Sequence, residues 1–254
     1  MYTVGGRIDH NDVVKVISAP INCVSMQEAS GIPFETQMEP MEWAKFIVRT
    51  RSEKNYANAY SLLSSFANVG SSEAEFCLGL LYARGQGVEK DLDAARYWFE
   101  RSAKSGDLGA MYFLGKMYGD GHGVEKDIMK AVEYLTPPAE RGDARAQYRL
   151  GLIHFNGETV DKDLKAAVEL FCSSARSGHS ESQFILGQLY KTGYGVEKDI
   201  GSALEWLTSA AMNRHKGAQI LLGSMYDSGD GVPQDKEEAD RWFNMSVDMV
   251  ISAQ

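Results

Sequence analysis

Residues 108–143 read LGAMYFLGKMYGDGHGVEKDIMKAVEYLTPPAERGD, and the same pattern returns 36 residues later, and again after that. Self-similarity at a fixed period outranks every other signal, because a missed repeat misreads the whole fold. Set in rows of 36, the chain gives a column Gly79, Gly115, Gly151, Gly187, Gly223 and another Leu78, Leu114, Leu150, Leu186, Leu222. A third column is Tyr82, Tyr118, His154, Tyr190, Tyr226, and a fourth is Gly85, Gly121, Gly157, Gly193, Gly229. Asp91, Asp127, Asp163, Asp199, Asp235 and Ala95, Ala131, Ala167, Ala203, Ala239 follow, then Trp98, Tyr134, Leu170, Trp206, Trp242. No insertion breaks the register across the five copies.

Each row reads as two helices. In the first, A, the residues Ala74, Leu78, Leu81 and Tyr82 fall at i, i+4, i+7 and i+8, which is one helical face. The Gly79 column sits inside that helix, where glycine costs about 1 kcal/mol against alanine. The expected reason is close approach of a neighbouring helix. Gly85 and its equivalents end helix A, and Asp91 and its equivalents fall at the N-cap of the second helix, B. Helix B carries Ala95, Trp98, Phe99 and Ala103 on one face. Gly106, Gly142 and Gly178 end it in three rows, and Arg214 stands in that column in the fourth.

These residues resemble the Sel1-like repeat, a slightly longer relative of the tetratricopeptide repeat. The signature A-x-x-x-LG-x-x-Y-x-x-G-x-GV-x-x-D is written here as Ala110, Leu114, Gly115, Tyr118, Gly121, Gly123, Val124 and Asp127. It continues as Ala131, Tyr134, Leu135 and Ala139. The resemblance covers repeats at about 72–107, 108–143, 144–179, 180–215 and 216–251. It implies an all-α, right-handed superhelical solenoid of antiparallel helix pairs acting as an adaptor or scaffold. Departures are His154 for tyrosine, Thr159 for the second loop glycine, and Pro137–Pro138 inside a B helix. Two prolines there predict a helix that kinks or ends early.

Subtracting 36 from the first clear copy predicts Ala59, Leu62, Leu63, Ala67 and Gly70, and all are present. Residues 38–70 are therefore read as a degenerate N-terminal capping repeat, with Trp43 in the glycine column and Pro40 in the first turn of its helix A. Residues 1–37 fall outside the pattern as an irregular extension, in which 13–17 read as a short strand.

Composition excludes several classes. Lys plus Arg number 26 against 35 Asp plus Glu, a net charge of −9, which argues against nucleic acid and suits a basic partner. Three cysteines without a CxxC pair read as reduced thiols and point to the cytoplasm, with no visible signal peptide. No apolar run approaches the roughly 18–20 residues of a membrane span. Mean hydropathy is −0.31.

The search for chemistry expects no enzyme, cofactor or metal. The stretch 119–123, GDGHG, resembles a phosphate loop, but such loops open a helix and this one closes one. Asp227 and Asp230 lack the alternation of a calcium loop. His10, His122, His154, His179 and His215 form no HxxxH pair, and Cys77 and Cys172 stand in different columns.

Columns that vary are where function is expected. On helix A a second face carries Arg84, Phe113, Lys116, Asp120, Arg145, Arg149, Leu152, Asn156, Ile185, Gln188, Leu221 and Ser224. If the A helices line the concave surface, as the resemblance implies, these residues form a groove for a protein or peptide. The competing reading is that Phe113, Ile185 and Leu221 merely pack on the adjacent repeat. The apolar end of the last helix, 245–251, is a candidate homodimer contact. The leading expectation is a non-enzymatic scaffold or adaptor. One alternative is a cytosolic inhibitor, immunity protein or chaperone that sequesters a toxin or effector. A second is an enzyme or small-ligand receptor with a site involving residues 1–37.

Overall fold

Residues 39–50, 55–157 and 162–251 are described by the computed structural model, and among them every regular element is a helix. In chain order these are α1 (Pro40–Thr50), α2 (Tyr56–Asn68), α3 (Ser72–Arg84), α4 (Leu92–Lys104), α5 (Leu108–Asp120) and α6 (Ile128–Glu140). They continue as α7 (Ala144–Asn156), α8 (Leu164–Arg176), α9 (Ser180–Thr192), α10 (Ile200–Met212), α11 (Lys216–Ser228) and α12 (Lys236–Ile251). The backbone divides into two compact units, one ending at Asp91 and one starting at Leu92.

In the first unit α1 packs on α2 and α3, and α2 packs on α3. Trp43, Ala44, Ile47 and Val48 of α1 are buried, as are Ala59, Leu63 and Ala67 of α2. The hydroxyls of Tyr60 and Tyr82 lie 2.9 Å apart, and that hydrogen bond, with burial, pushes Tyr82 up to about 12. The segment read as an extension, 1–37, lies outside the described residues, as does Thr159.

In the second unit each helix from α4 to α12 packs on the next, the arrangement of an α-solenoid. Within a repeat the A–B contact rests on glycine. A Cβ placed on Gly115 would sit 2.6 Å from Leu135 Cγ, and on Gly187 it would sit 2.5 Å from Leu207 Cγ. Gly151 and Gly223 face Phe171 and Phe243 in the same way, at 2.7 and 2.6 Å. No side chain fits, which is why the column tolerates the helix-propensity cost of glycine.

Caps set the period. The side chains of Asp127, Asp163, Asp199 and Asp235 each accept the amide three residues on, at 3.0, 2.9, 3.3 and 3.0 Å, starting each B helix. The amides of these aspartates donate to the carbonyls of Tyr118, His154, Tyr190 and Tyr226. That link uses only main chain, so His154 replaces tyrosine without breaking it. The imidazole is half-buried, and its Nδ1 finds no hydrogen-bond partner among the described residues. Gly121, Gly157, Gly193 and Gly229 close the A helices in left-handed conformation, so GDGHG is the inter-helix turn.

One expectation fails in part. Helix α6 does not end early at Pro137–Pro138; it runs to Glu140 with the same 13 residues as α4, α8 and α10. The prolines sit in its last turn, so the amides they lack would have served only the carbonyls of Glu133 and Tyr134. Their own carbonyls accept from Arg141 and Asp143 at 3.2 and 2.9 Å. The turn into α7 closes as it does in the other rows, where His179 donates to Ser174 and His215 to Ala210.

Repeats are tied to one another by a column that sequence reading passed over. Gln147, Gln183 and Gln219 reach back to the carbonyls of Ala139, Ala175 and Ala211, at 3.0, 3.1 and 3.0 Å. These carbonyls lie near the ends of B helices, where intrahelical donors run out.

Candidate functional site

The variable face of the A helices begins with apolar side chains that the fold itself uses. Phe113 stacks on Phe99, with centroids 5.3 Å apart and planes at 12°. Leu152 and Ile185 pack against the cluster around Phe171 and Leu186, and Leu221 packs against that of Leu207 and Leu222. These residues therefore serve inter-helix packing. The most open residues of the face are polar: Asp120, Arg145, Asn156, Gln188 and Ser224 are exposed, while Lys116 is half-buried, as are Phe113, Leu152, Ile185 and Leu221. Arg84, also exposed, ends α3 in the first unit.

Four of the twelve candidates meet at one cleft. Asp120, Arg149, Leu152 and Asn156 line a cavity of about 210 Å³ together with Gly115, Gly119, Lys126, Ile128, Leu135 and Ile153. Arg149 reaches from α7 to α5 and donates through Nη1 to Asp120 Oδ1 at 2.9 Å. Both side chains keep partial exposure, 25% for Arg149 and 30% for Asp120. Burial is the largest single influence and works against the Arg149 charge, but Asp120 and the Tyr112 hydroxyl together outweigh it and the guanidinium titrates above its usual value. Gly119 leaves the floor open, since a Cβ there would touch only Ala131, at 3.6 Å. The cleft thus holds a paired charge, a second cation and an amide around a patch of aliphatic wall.

Arg145 is engaged locally. Its Nη2 lies 2.6 Å from Asp143 Oδ2, and its guanidinium carbon is 4.4 Å from the centroid of Tyr112. Burial raises Asp143, but the bonds from Arg145 and the Ala146 amide more than offset it and hold the carboxyl below the usual range. Gln188 and Ser224 stand one and two repeats further along the same column, apart from the cleft.

Two features escaped the sequence reading. One is the aromatic column Tyr112, Tyr148, Phe184, whose rings meet Arg145, His179 and His215 at the start of the following A helix. The other is the A-helix N-cap column, Ser71, Asp107, Asp143, His179, His215, in which histidine supplies the cap twice. Serine and aspartate in that column were readable as caps; the histidines carried no such signal. A larger groove of about 810 Å³ runs along residues 123–130 beside Arg96 and Tyr118. There Arg96 is held by Asp93 at 3.0 Å, and Lys130 lies over Tyr118.

Among the described residues no cluster of histidine, cysteine and carboxylate is placed to hold a metal ion. Burial pushes the Cys172 thiol up, away from nucleophilic character. Asp230 is bound to Lys191 Nζ at 2.6 Å, across a repeat boundary. No described helix is long and apolar enough to cross a membrane.

Fold and face together define a helical-repeat scaffold, of the kind built for protein interaction. The chain belongs to the Sel1 repeat family, whose model matches residues 72–107, 109–143, 144–179, 180–215 and 217–249. It is similar to the crystal structure of a Sel1 repeat protein from Oxalobacter formigenes, at 31% identity and a TM-score of 0.77, over 83% of this chain and 88% of that one. It shares its fold with c5321, a protective antigen of uropathogenic Escherichia coli, at 21% identity and a TM-score of 0.72. That match covers 96% of this chain and 57% of the antigen. Immunity protein Pa5087 from Pseudomonas aeruginosa also shares the fold, at 18% identity and a TM-score of 0.55, with 84% of each chain covered. No curated protein matched in sequence.

Proposed function

We propose that the chain is a non-enzymatic scaffold that binds a protein or peptide on the variable face of α5, α7, α9 and α11, anchored at the Asp120–Arg149 cleft. The observation that carries this reading is the cleft. Asp120, Arg149 and Asn156, from two consecutive A helices, surround with Lys126 of the intervening loop a space of about 210 Å³, and those three, unlike the lysine, do not repeat down their columns. Residues that only maintain a solenoid recur in every row, as the glycines and cap aspartates do. Lys116, Gln188 and Ser224 extend the same face, and the polar character of its open part suits a partner recognised by hydrogen bonds and charge. Residues 38–70 act as the worn terminal repeat, and the cytoplasm is the expected compartment.

The test begins with crosslinking and mass spectrometry from the native cell, followed by titration of the recovered partner. Arg149→Glu with Asn156→Lys is expected to weaken binding at least tenfold, the scale of a disrupted interfacial anchor. Glu169→Lys, on the exposed side of α8, is expected to leave it unchanged. Equal affinity for all three proteins would remove the cleft from the interface.

The acid excess, −9, supports a second reading, an inhibitor that holds a basic toxin or effector; a named immunity protein shares the fold. One tight stoichiometric partner favours the inhibitor, and several weak ones favour the adaptor. Self-association through α12 is a further proposal. Val247, 57% exposed, stands in the column of Ala139, Ala175 and Ala211, all of them buried. Val247→Lys should then abolish any dimer seen by sedimentation.

A further inference from the structure

The caps of the A helices change chemistry along the chain. Asp107 and Asp143 accept the N3 amides of α5 and α7 through carboxylates, at 2.7 and 3.1 Å. For α9 and α11 the acceptor is an imidazole: His179 Nδ1 takes the Ser182 amide at 3.3 Å, and His215 Nδ1 takes the Ala218 amide at 3.0 Å. Both rings also lie against the preceding A helix. His179 lies 4.7 Å from the Tyr148 ring, and His215 stacks on Phe184 at 4.3 Å and 26°. Each histidine is thus a helix cap and an inter-repeat contact at once.

An imidazole caps only while neutral. Protonated, both ring nitrogens are donors, so no rotation of the ring returns an acceptor to the N3 amide. The cation would also sit at the positive end of a helix dipole. We propose that His179 and His215 form an acid-sensitive device that loosens α9 and α11 at their repeat junctions while the aspartate-capped α5 and α7 stay closed.

Glu181 Oε2 is 3.8 Å from His179 Nε2, and Asp143 also draws a proton towards that ring, while Arg145 opposes it. Burial is the largest influence and wins, so His179 titrates below its usual 6.5. Glu181 is also the carboxylate that His215 acts on. The sign follows: the folded protein releases the His179 proton more readily than the unfolded chain. Its stabilising effect is complete above about pH 6.5 and is lost as pH falls through the folded value. Since α9 and α11 carry Ile185, Gln188, Leu221 and Ser224, acid would also disturb half of the proposed binding face.

Hydrogen exchange with mass spectrometry on the full chain at pH 7.5 and 5.5, corrected for intrinsic rates, tests the device without any partner. Protection in peptides covering 182–192 and 218–228 is expected to fall about fivefold relative to those covering 110–120 and 146–156, the scale of one lost cap. His179→Asn with His215→Asn keeps a cap acceptor that does not titrate, and is expected to abolish the difference. A uniform loss across all four helices, or a response that persists in the asparagine variant, overturns the proposal. Should that variant fold poorly, the contrast within the wild-type chain still decides.

Discussion

Arg214 is the residue at which the repeat departs furthest from its own rule. It holds φ at 62°, where Gly106, Gly142 and Gly178 hold 88°, 87° and 85°. A left-handed conformation costs a residue with a Cβ roughly 1–2 kcal/mol, and glycine's freedom in the unfolded chain returns about 0.4–1 of that. Arg214→Gly should therefore stabilise by about 0.5–1 kcal/mol and raise the melting temperature by a degree or more, measured calorimetrically. The opposite exchange belongs to the interior column. Gly187→Ala gains about 1 kcal/mol of helix propensity, but its Cβ arrives 2.5 Å from the Leu207 branch carbon. Leu207 is fully buried and has nowhere to go. Overpacking of this kind costs about 1–3 kcal/mol, so the net change is a loss, readable in urea midpoints. Both positions were legible in the sequence as glycine columns, one favouring glycine for its left-handed backbone and the other for the space a Cβ would take. The Gln147, Gln183, Gln219 staple was not. Glu75 and Met111 interrupt that column, and glutamine alone says nothing about which carbonyl it meets.

At the scale of the helix, the B elements announced themselves through aspartate caps and the A elements through their apolar faces. What the pattern misjudged was the tolerance of α6 for two prolines. Its last turn needs few amides, and the chain beyond it satisfies the proline carbonyls. The cost remains, since the carbonyls of Glu133 and Tyr134 have lost the amides that would have met them. Pro138 also occupies a column in which Ser174 donates to the Ala144 carbonyl at 2.6 Å. Pro137→Ala with Pro138→Ser is thus expected to stabilise by about 1–3 kcal/mol, seen as a higher thermal midpoint by circular dichroism. An unchanged midpoint would mean that the prolines, once placed in the final turn, cost nothing there. The proposed binding face was half legible at this scale. Helical geometry put the variable residues on one side, but sequence cannot tell that Phe113 would be taken by Phe99 and Arg149 by Asp120.

For the molecule as a whole, the unit of stability is the repeat together with its neighbour, since each helix of the second unit packs on the next. The junctions on either side of residues 144–179 share the glutamine contact, Gln147 to Ala139 and Gln183 to Ala175, so this repeat should be removable in register. Deleting residues 144–179 places Asp143 directly before Ser180. Asp143 now caps Ala146, the third residue of α7, and Ser182 is the third residue of α9. Gln183 then stands where Gln147 reaches Ala139, and Leu186 where Leu150 packs on Ala131 and Leu135. The helix pair that remains keeps its own Gly187–Leu207 contact. Removing only 162–179 takes the same junction residues but deletes helix α8, so Gly151 loses Phe171 and two A helices follow one another. The 36-residue deletion is expected to keep the helical signal per residue and a cooperative, somewhat lower thermal transition, and the 18-residue deletion to lose the transition or aggregate. Circular dichroism and size-exclusion chromatography separate the two. If the half-repeat deletion folds as well as the full one, the stability of this chain does not reside in the paired helices and their junctions.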